Sequence, residues 1–145
     1  LARQVACEFL DGGLQEPYTI VFCADRQSEP ASMQGDEALL KRALRNLIQN
    51  SMIHNPKGCQ IDLSVTRGQA CTMIAVEDNG VGVSAAQLKA LAENTSRIES
   101  TDEKLNLRHG LGILLVRQII EAHNGIIHIE SEPQKGFKTT LIFPS

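Results

Sequence analysis

The chain has 145 residues, about one domain, and its 14 basic and 17 acidic residues leave a net charge of −3. That balance excludes the basic footprint of a nucleic-acid binder and a polybasic patch for direct membrane contact, and no apolar run reaches membrane-spanning length. Hydrophobic content of 42% with 3% aromatics and no Trp implies an aliphatic core, while Cys7, Cys23, Cys59 and Cys71 lack paired or zinc-type spacing and read as free thiols in a reducing compartment.

Residues 1–14 read as a short helix with Val5, Ala6, Phe9 and Leu10 on one side and Gly12-Gly13 ending it. The chain starts inside this pattern without Met, so a piece of a longer protein is expected. Residues 18–24 alternate and are rich in β-formers, which makes a strand. A polar loop over 26–35 leads to a long helix, residues 36–54, stopped by Asn55-Pro56-Lys57-Gly58. On a helical wheel its apolar stripe is Leu40, Leu44, Leu47, Ile48 and Ser51, opposite Lys41, Arg42, Arg45 and Gln49. Asn46 and Asn50 fall one turn apart on a flank with Leu39, Ala43 and His54, between core and solvent. Asn is a poor mid-helix residue. The pair is either half-exposed and bonded to water or loop backbone, or it serves a ligand. In the latter case an amide oxygen suits Mg²⁺ and the NH₂ suits a phosphate or ribose oxygen.

Two strands, 60–66 and 71–77, follow as a hairpin through Arg67-Gly68-Gln69-Ala70 and run into Asp78-Asn79-Gly80-Val81-Gly82-Val83. A carboxylate at a strand end can accept from the exocyclic amine of a purine, and Gly80 and Gly82 would let backbone approach a flat ring closely. The plain alternative is a tight turn built on Asp-Asn-Gly chemistry. Residues 80–85 also fit the dinucleotide fingerprint G-x-G-x-x-A, but the required second strand ending in an acid about twenty residues later is missing.

Ser84 can cap a helix to about residue 92, and residues 93–109 form a polar stretch placed as a lid. His109-Gly110-Leu111-Gly112 opens an apolar helix over 110–123. Its free N–H groups and positive dipole end suit phosphate, although the glycines can equally serve close packing. No P-loop pattern occurs anywhere in the chain. Asn124-Gly125 stops the helix, and strands 126–131 and 137–143 close the chain. Clustered rather than alternating strands imply an α+β fold with a mixed, mostly antiparallel sheet.

The joint pattern resembles the catalytic, ATP-binding domain of sensor histidine kinases, members of the Bergerat-fold group with gyrase, Hsp90 and MutL. RNLIQNSMIHN is similar to the family's N-box, VEDNGVG to its G1 box, and HGLGILLVRQIIEAHNG to its G2 box and helix. The resemblance covers nearly the whole chain. It implies one domain over 1–145, a two-layer α/β sandwich with helices covering one face of the sheet. By the same resemblance Asn50 would hold Mg²⁺, with Asn46 and His54 lining the ATP pocket. Asp78 would bind the adenine amine, Gly80 and Gly82 would shape the base site, and Gly110, Leu111 and Gly112 would meet the phosphates. Thr139 or Thr140 would sit behind the base. Departures from the pattern are Ile53 at a usually basic position (its phosphate contact either missing or supplied elsewhere, by Arg108), the absence of the lid phenylalanines, Arg108-His109 before the G2 glycines, and Phe137 in place of a Thr.

The resemblance also bears on chemistry. Gyrase-type relatives carry a water-activating Glu where this chain has Asn46, and an amide cannot act as a general base. Transfer to a delivered histidine is therefore expected over hydrolysis, with an acceptor-histidine helical domain of the same protein and, indirectly, a response regulator as partners. None of His54, His109, His123 and His128 sits in the acceptor pattern His-(Glu/Asp)-x-x-x-Pro. The expected setting is a cytoplasmic domain, monomeric by itself, of a membrane-anchored parent. The alternatives are an anti-sigma-type serine kinase, a gyrase-like ATPase, or a degenerate nucleotide-binding module.

Overall fold

Alternating apolar residues in the strands and wide apolar stripes on the helices leave each element with one face to bury, and all of them bury it in a single layer. The computed structural model describes residues 2–11, 18–24, 35–68, 70–86 and 111–144. Their order is α1 (Ala2–Asp11), β1 (Tyr18–Ala24), α2 (Glu37–His54), β2 (Cys59–Arg67), β3 (Cys71–Asp78), α3 (Leu111–Ala122), β4 (Ile126–Ser131) and β5 (Phe137–Pro144). The five strands form one sheet in the order β1-β2-β3-β5-β4. Only β1 and β2 run parallel; the other pairs are antiparallel. The mixed, mostly antiparallel sheet expected from the sequence is therefore present, with the three helices on one face. The expected lid (93–109), Arg108, Gly110 and most of the helix expected after Ser84 lie outside the described residues.

Each strand's alternation decides which side chains meet the helices. In β3, Thr72, Ile74, Val76 and Asp78 are buried while the intervening residues are not. The alternation that sends Ile74 and Val76 into the core thus carries a carboxylate to the same face at the strand's end. Leu141 and Phe143 of β5, Ile61 and Leu63 of β2, and Val116 and Ile120 of α3 complete this face with side chains almost wholly removed from water.

Asp36 caps α2, accepting from the Leu39 N–H at 3.1 Å. The sequence puts Ala43 and Asn50 on a flank between core and solvent, yet Ala43 is fully buried and Asn50 only 4% exposed, while Leu39 is 38% exposed. The difference arises because α2 packs on the sheet and on α3 at once, which widens its buried arc beyond one stripe. His123 ties the two helices at one end. Its Nε2 accepts from the Asp36 N–H at 2.9 Å and its Nδ1 lies 2.7 Å from the Ile119 carbonyl, so the neutral ring carries its proton on Nδ1. Helix α3 therefore runs back along α2, and its first turn lies toward the asparagine end. At its C-terminus Asn124 takes the left-handed conformation (φ 58°), where the sequence left the choice between Asn124 and Gly125 open.

Because Ile120 is wholly buried between α3, α2 and the sheet, Ile120→Ala is expected to cost about 2–5 kcal/mol of stability. Urea unfolding followed by circular dichroism measures this, and a loss below about 1 kcal/mol would mean that the α3 interface is not the packed core described.

Candidate functional site

The C-terminal end of α2, the end of β3 and the start of β5 meet around a nearly closed cleft of about 10 Å³ lined by Asn50, Ser51, His54, Asn55, Asp78, Gly82, Val83 and Phe137. Of the residues singled out from the sequence, the cleft unites Asn50, His54, Asp78 and Gly82. Asn46 lies one turn back on α2, half-buried and outside the cleft. Thr139 is 1% exposed and faces the helices two residues beyond Phe137. Thr140 pairs with Ala75, and the two-residue period of β5 turns it to the opposite face of the sheet. Thr139 thus shares the helix-facing side of β5 with Phe137 and Thr140 does not, and neither lines the cleft. Leu111 and Gly112 are the first two residues of α3, where N–H groups lack intrahelical acceptors.

Asn50 carries the strongest chemical signal. Its Oδ1 is buried and has no hydrogen-bond partner. A buried amide oxygen left unpaired costs about 1–3 kcal/mol, so a position like this calls for a ligand. Among the described residues no three His, Cys, Asp or Glu side chains gather as a metal site. A hard divalent ion such as Mg²⁺, which prefers few protein oxygens plus phosphates and water, fits that donor set: a neutral amide oxygen beside a carboxylate-bearing cleft.

The turn after β3 is fixed from three sides. Asp78 Oδ1 accepts from the Gly80 N–H at 3.0 Å, closing an Asx-type turn. The Asn79 side chain and backbone pair with Gln60 on β2. Beyond it, Val81 accepts from the Gln134 N–H at 2.6 Å, and the Val83 N–H donates at 2.9 Å to Ser131 Oγ, which itself donates to the Gly136 carbonyl at 2.7 Å. From the other side Asn55 Oδ1 accepts from the Val81 N–H at 2.8 Å.

These contacts agree with the tight-turn alternative read from Asp-Asn-Gly and add a packing reason for the two glycines beside any ligand. A Cβ on Gly80 would come within 1.9 Å of Asn55 Oδ1, and one on Gly82 within 2.0 Å of the Glu132 carbonyl. Gly82 also has φ +66°, which disfavours any side chain. The protein's own neighbours, before any purine, exclude side chains at both positions.

Asn55, Ser131 and Tyr18 escaped the sequence reading. Asn55 was read only as part of the helix stop, Ser131 as a strand residue and Tyr18 as a β-former. The signal for Asn55 is its place: a buried amide on the residue immediately before a proline at the end of the asparagine helix. Tyr18 supports that end, its hydroxyl donating to the carbonyls of Met52 (3.1 Å) and Asn55 (3.0 Å).

Electrostatics around the cleft centre on Asp78, which is 3% exposed. Burial pushes the Cys59 thiol up to about 11, reinforced by the nearby Asp78 carboxylate and opposed by a hydrogen bond with Asn55. Cys59 is therefore an inert packing residue at neutral pH. The His54 imidazole is lowered below its ordinary 6.5 by the protein packed around it, with Asp78 acting in the opposite direction.

Residues 35–145 match the family of histidine kinase-, DNA gyrase B- and HSP90-like ATPases. Among curated proteins, the chain is 30% identical over 122 residues to the sensor-like histidine kinase SenX3 of Mycobacterium tuberculosis, covering 83% of this chain and 30% of that protein. It is 33% identical over 112 residues to sporulation kinase A of Bacillus subtilis, covering 77% of this chain and 18% of that one. The chain thus spans less than a third of the length of these relatives. Among solved structures, the nucleotide-free catalytic domain of histidine kinase ThkA superposes with a TM-score of 0.76 at 22% identity, over 99% of this chain and 88% of the other.

The His54 shift has a definite sign. With the folded-state value below 6.5, the unfolded chain takes up its proton first as the pH falls, so this group makes the fold less stable as the pH drops through that window. Titration of the His54 ring protons by NMR should give a midpoint below 6.5. Asp78→Asn should move it lower still, because the raising influence of the Asp78 charge is removed; an upward move would contradict that influence.

Proposed function

Because the chain belongs to the family of histidine kinase-, DNA gyrase B- and HSP90-like ATPases, we propose that it is the ATP-binding catalytic domain of a two-component sensor histidine kinase. The observation that carries the reading is that Asn50, whose buried Oδ1 has no hydrogen-bond partner among the described residues, lines the same cleft as Asp78. The asparagine supplies what a metal–phosphate group needs, and the aspartate supplies what an exocyclic amine needs.

Asp78, with Oδ1 already held by the Gly80 N–H, would accept from adenine N6 on its other oxygen. Guanine presents a carbonyl at the equivalent position and would be repelled by that carboxylate. His54 would lie along the sugar–phosphate path as a neutral imidazole. Leu111 and Gly112 at the start of α3 would offer N–H groups to the phosphates. Mg²⁺, held by Asn50 together with the phosphates, would neutralise part of the triphosphate charge.

Asn46 stands one turn before Asn50, where hydrolytic relatives need a water-activating carboxylate. An amide has no basic lone pair at neutral pH, so the site favours positioning the γ-phosphoryl group for an incoming imidazole. In that step a histidine nitrogen bonds to the γ-phosphorus, the bond to the bridging oxygen breaks and ADP leaves. The acceptor histidine would belong to a helical domain of the parent protein that this chain does not span, with a response regulator receiving the phosphoryl group afterwards. No helix among the described residues is long and apolar enough to cross a membrane; the parent would be membrane-anchored elsewhere and hold this domain in the cytoplasm.

Calorimetry with a non-hydrolysable ATP analogue and Mg²⁺ tests the site. Asp78→Asn should weaken binding on the order of 10- to 100-fold, as expected for a hydrogen bond to a charged group. Asn50→Ala should abolish the difference between magnesium and EDTA. Wild-type-like binding by both variants would overturn the assignment. Incubated alone with labelled ATP, residues 1–145 should give no acid-labile phosphohistidine; a strong signal would place the acceptor within this chain.

A further inference from the structure

We propose that Asn55 is a positioning residue for the base-binding turn, acting as a two-ended staple between the asparagine helix and the segment that follows Asp78. The inference rests on the ATP-binding reading given above and adds to it a residue that touches no part of the nucleotide's reacting atoms.

Its geometry is unusually complete. Asn55 is 4% exposed, and both ends of its amide are used. Nδ2 donates to the Ser51 carbonyl at 2.8 Å, taking up a carbonyl in the last turn of α2. Oδ1 accepts from the Val81 N–H at 2.8 Å, across 26 residues of sequence. Its backbone carbonyl accepts from Tyr18 on β1 at 3.0 Å, so the residue is fixed from outside as well. One planar group therefore sets the distance between the helix carrying Asn50 and the turn carrying Asp78 and Gly82.

The space this staple occupies is taken from Gly80. All three atoms nearest to a Cβ built on Gly80 belong to the Asn55 side chain, at 1.9, 2.2 and 2.4 Å. Gly80 does not adopt a left-handed backbone, so an alanine there is hindered by Asn55 and not by its own φ. Gly80→Ala sets a methyl against the Asn55 amide, so either the amide or the turn must shift and the connection between them is disturbed. The two residues form one unit, and removing either is equivalent to removing the connection.

The connection matters for function because Val81 sits between Gly80, which holds the Asp78 carboxylate, and Gly82, which lines the cleft. Without the staple the turn keeps its bonds to Gln134 and Ser131 but loses its fixed distance from Asn50. A bidentate site that must seat a purine at one end and a metal–phosphate group at the other is sensitive to such a displacement.

A double-mutant cycle decides the matter. Binding of a non-hydrolysable ATP analogue with Mg²⁺ is measured by calorimetry for wild type, Asn55→Ala, Gly80→Ala and the double variant, with folding checked by circular dichroism. Exchange of the Val81 amide is followed by NMR without nucleotide. Each single variant should weaken binding about tenfold, the size of one buried hydrogen bond, and the double variant should be no weaker than either. Val81 should exchange at least about tenfold faster in Asn55→Ala while core amides of β3 keep their protection. A double variant about 100-fold weaker, the product of independent effects, or an Asn55→Ala protein that binds as wild type would overturn the proposal. If the wild type binds no nucleotide, the ATP reading fails, and Val81 exchange alone then judges the staple: faster exchange in Asn55→Ala upholds it and unchanged exchange refutes it.

Discussion

Burial of the Asp78 side chain at the end of a core strand is the constraint on which the site depends. A carboxylate that is 3% exposed is costly unless its oxygens find donors, and β3 offers no freedom to turn it outward because Ile74 and Val76 share its face. The chain answers locally: the strand ends at Asp78 and the backbone folds back so that the Gly80 N–H reaches Oδ1. That tight return brings Val81 and Gly82 up against Asn55 on one side and the β4–β5 connection on the other. The glycines, the buried asparagine and the serine on β4 are consequences of accommodating one charge.

The same constraint explains why the site lies between layers and not on a surface. Both the Asp78 carboxylate and the Asn50 amide come from positions that packing would ordinarily give to hydrophobic side chains. Asn50 interrupts the buried arc of α2 just as Asp78 interrupts that of β3. Each loses solvation, and Asn50 Oδ1 finds no hydrogen-bond partner among the described residues. A bound nucleotide would supply the missing partners, so binding and stability share the same groups.

Much of this was legible from residue order alone. The period-2 pattern of residues 71–77, the 3.6-residue pattern of 36–54 and the Asn-Gly stop after 123 correspond to β3, α2 and the end of α3 to within a residue or two. Asp78 and Asn50 stood out because each breaks a pattern. What could not be read was anything fixed by contacts distant in sequence. The depth of Asn50 and Ala43 depends on α3 lying across α2. Which of Thr139 and Thr140 faces the helices depends on the register of β5 against β3. The reasons for Gly80 and Gly82 depend on Asn55 and Glu132, 25 and 50 positions away. Local chemistry proposed glycines for a ligand's sake or for a tight turn, and the fold adds packing as a further reason.

The helix that carries the asparagines is moored at both extremities. His123 accepts from the Asp36 N–H at its beginning, while Tyr18 and Asn55 fasten its end to β1 and to the turn after β3. With neither extremity loose, α2 forms a rigid wall of the cleft, and whatever enters there meets Asn50 at a preset place.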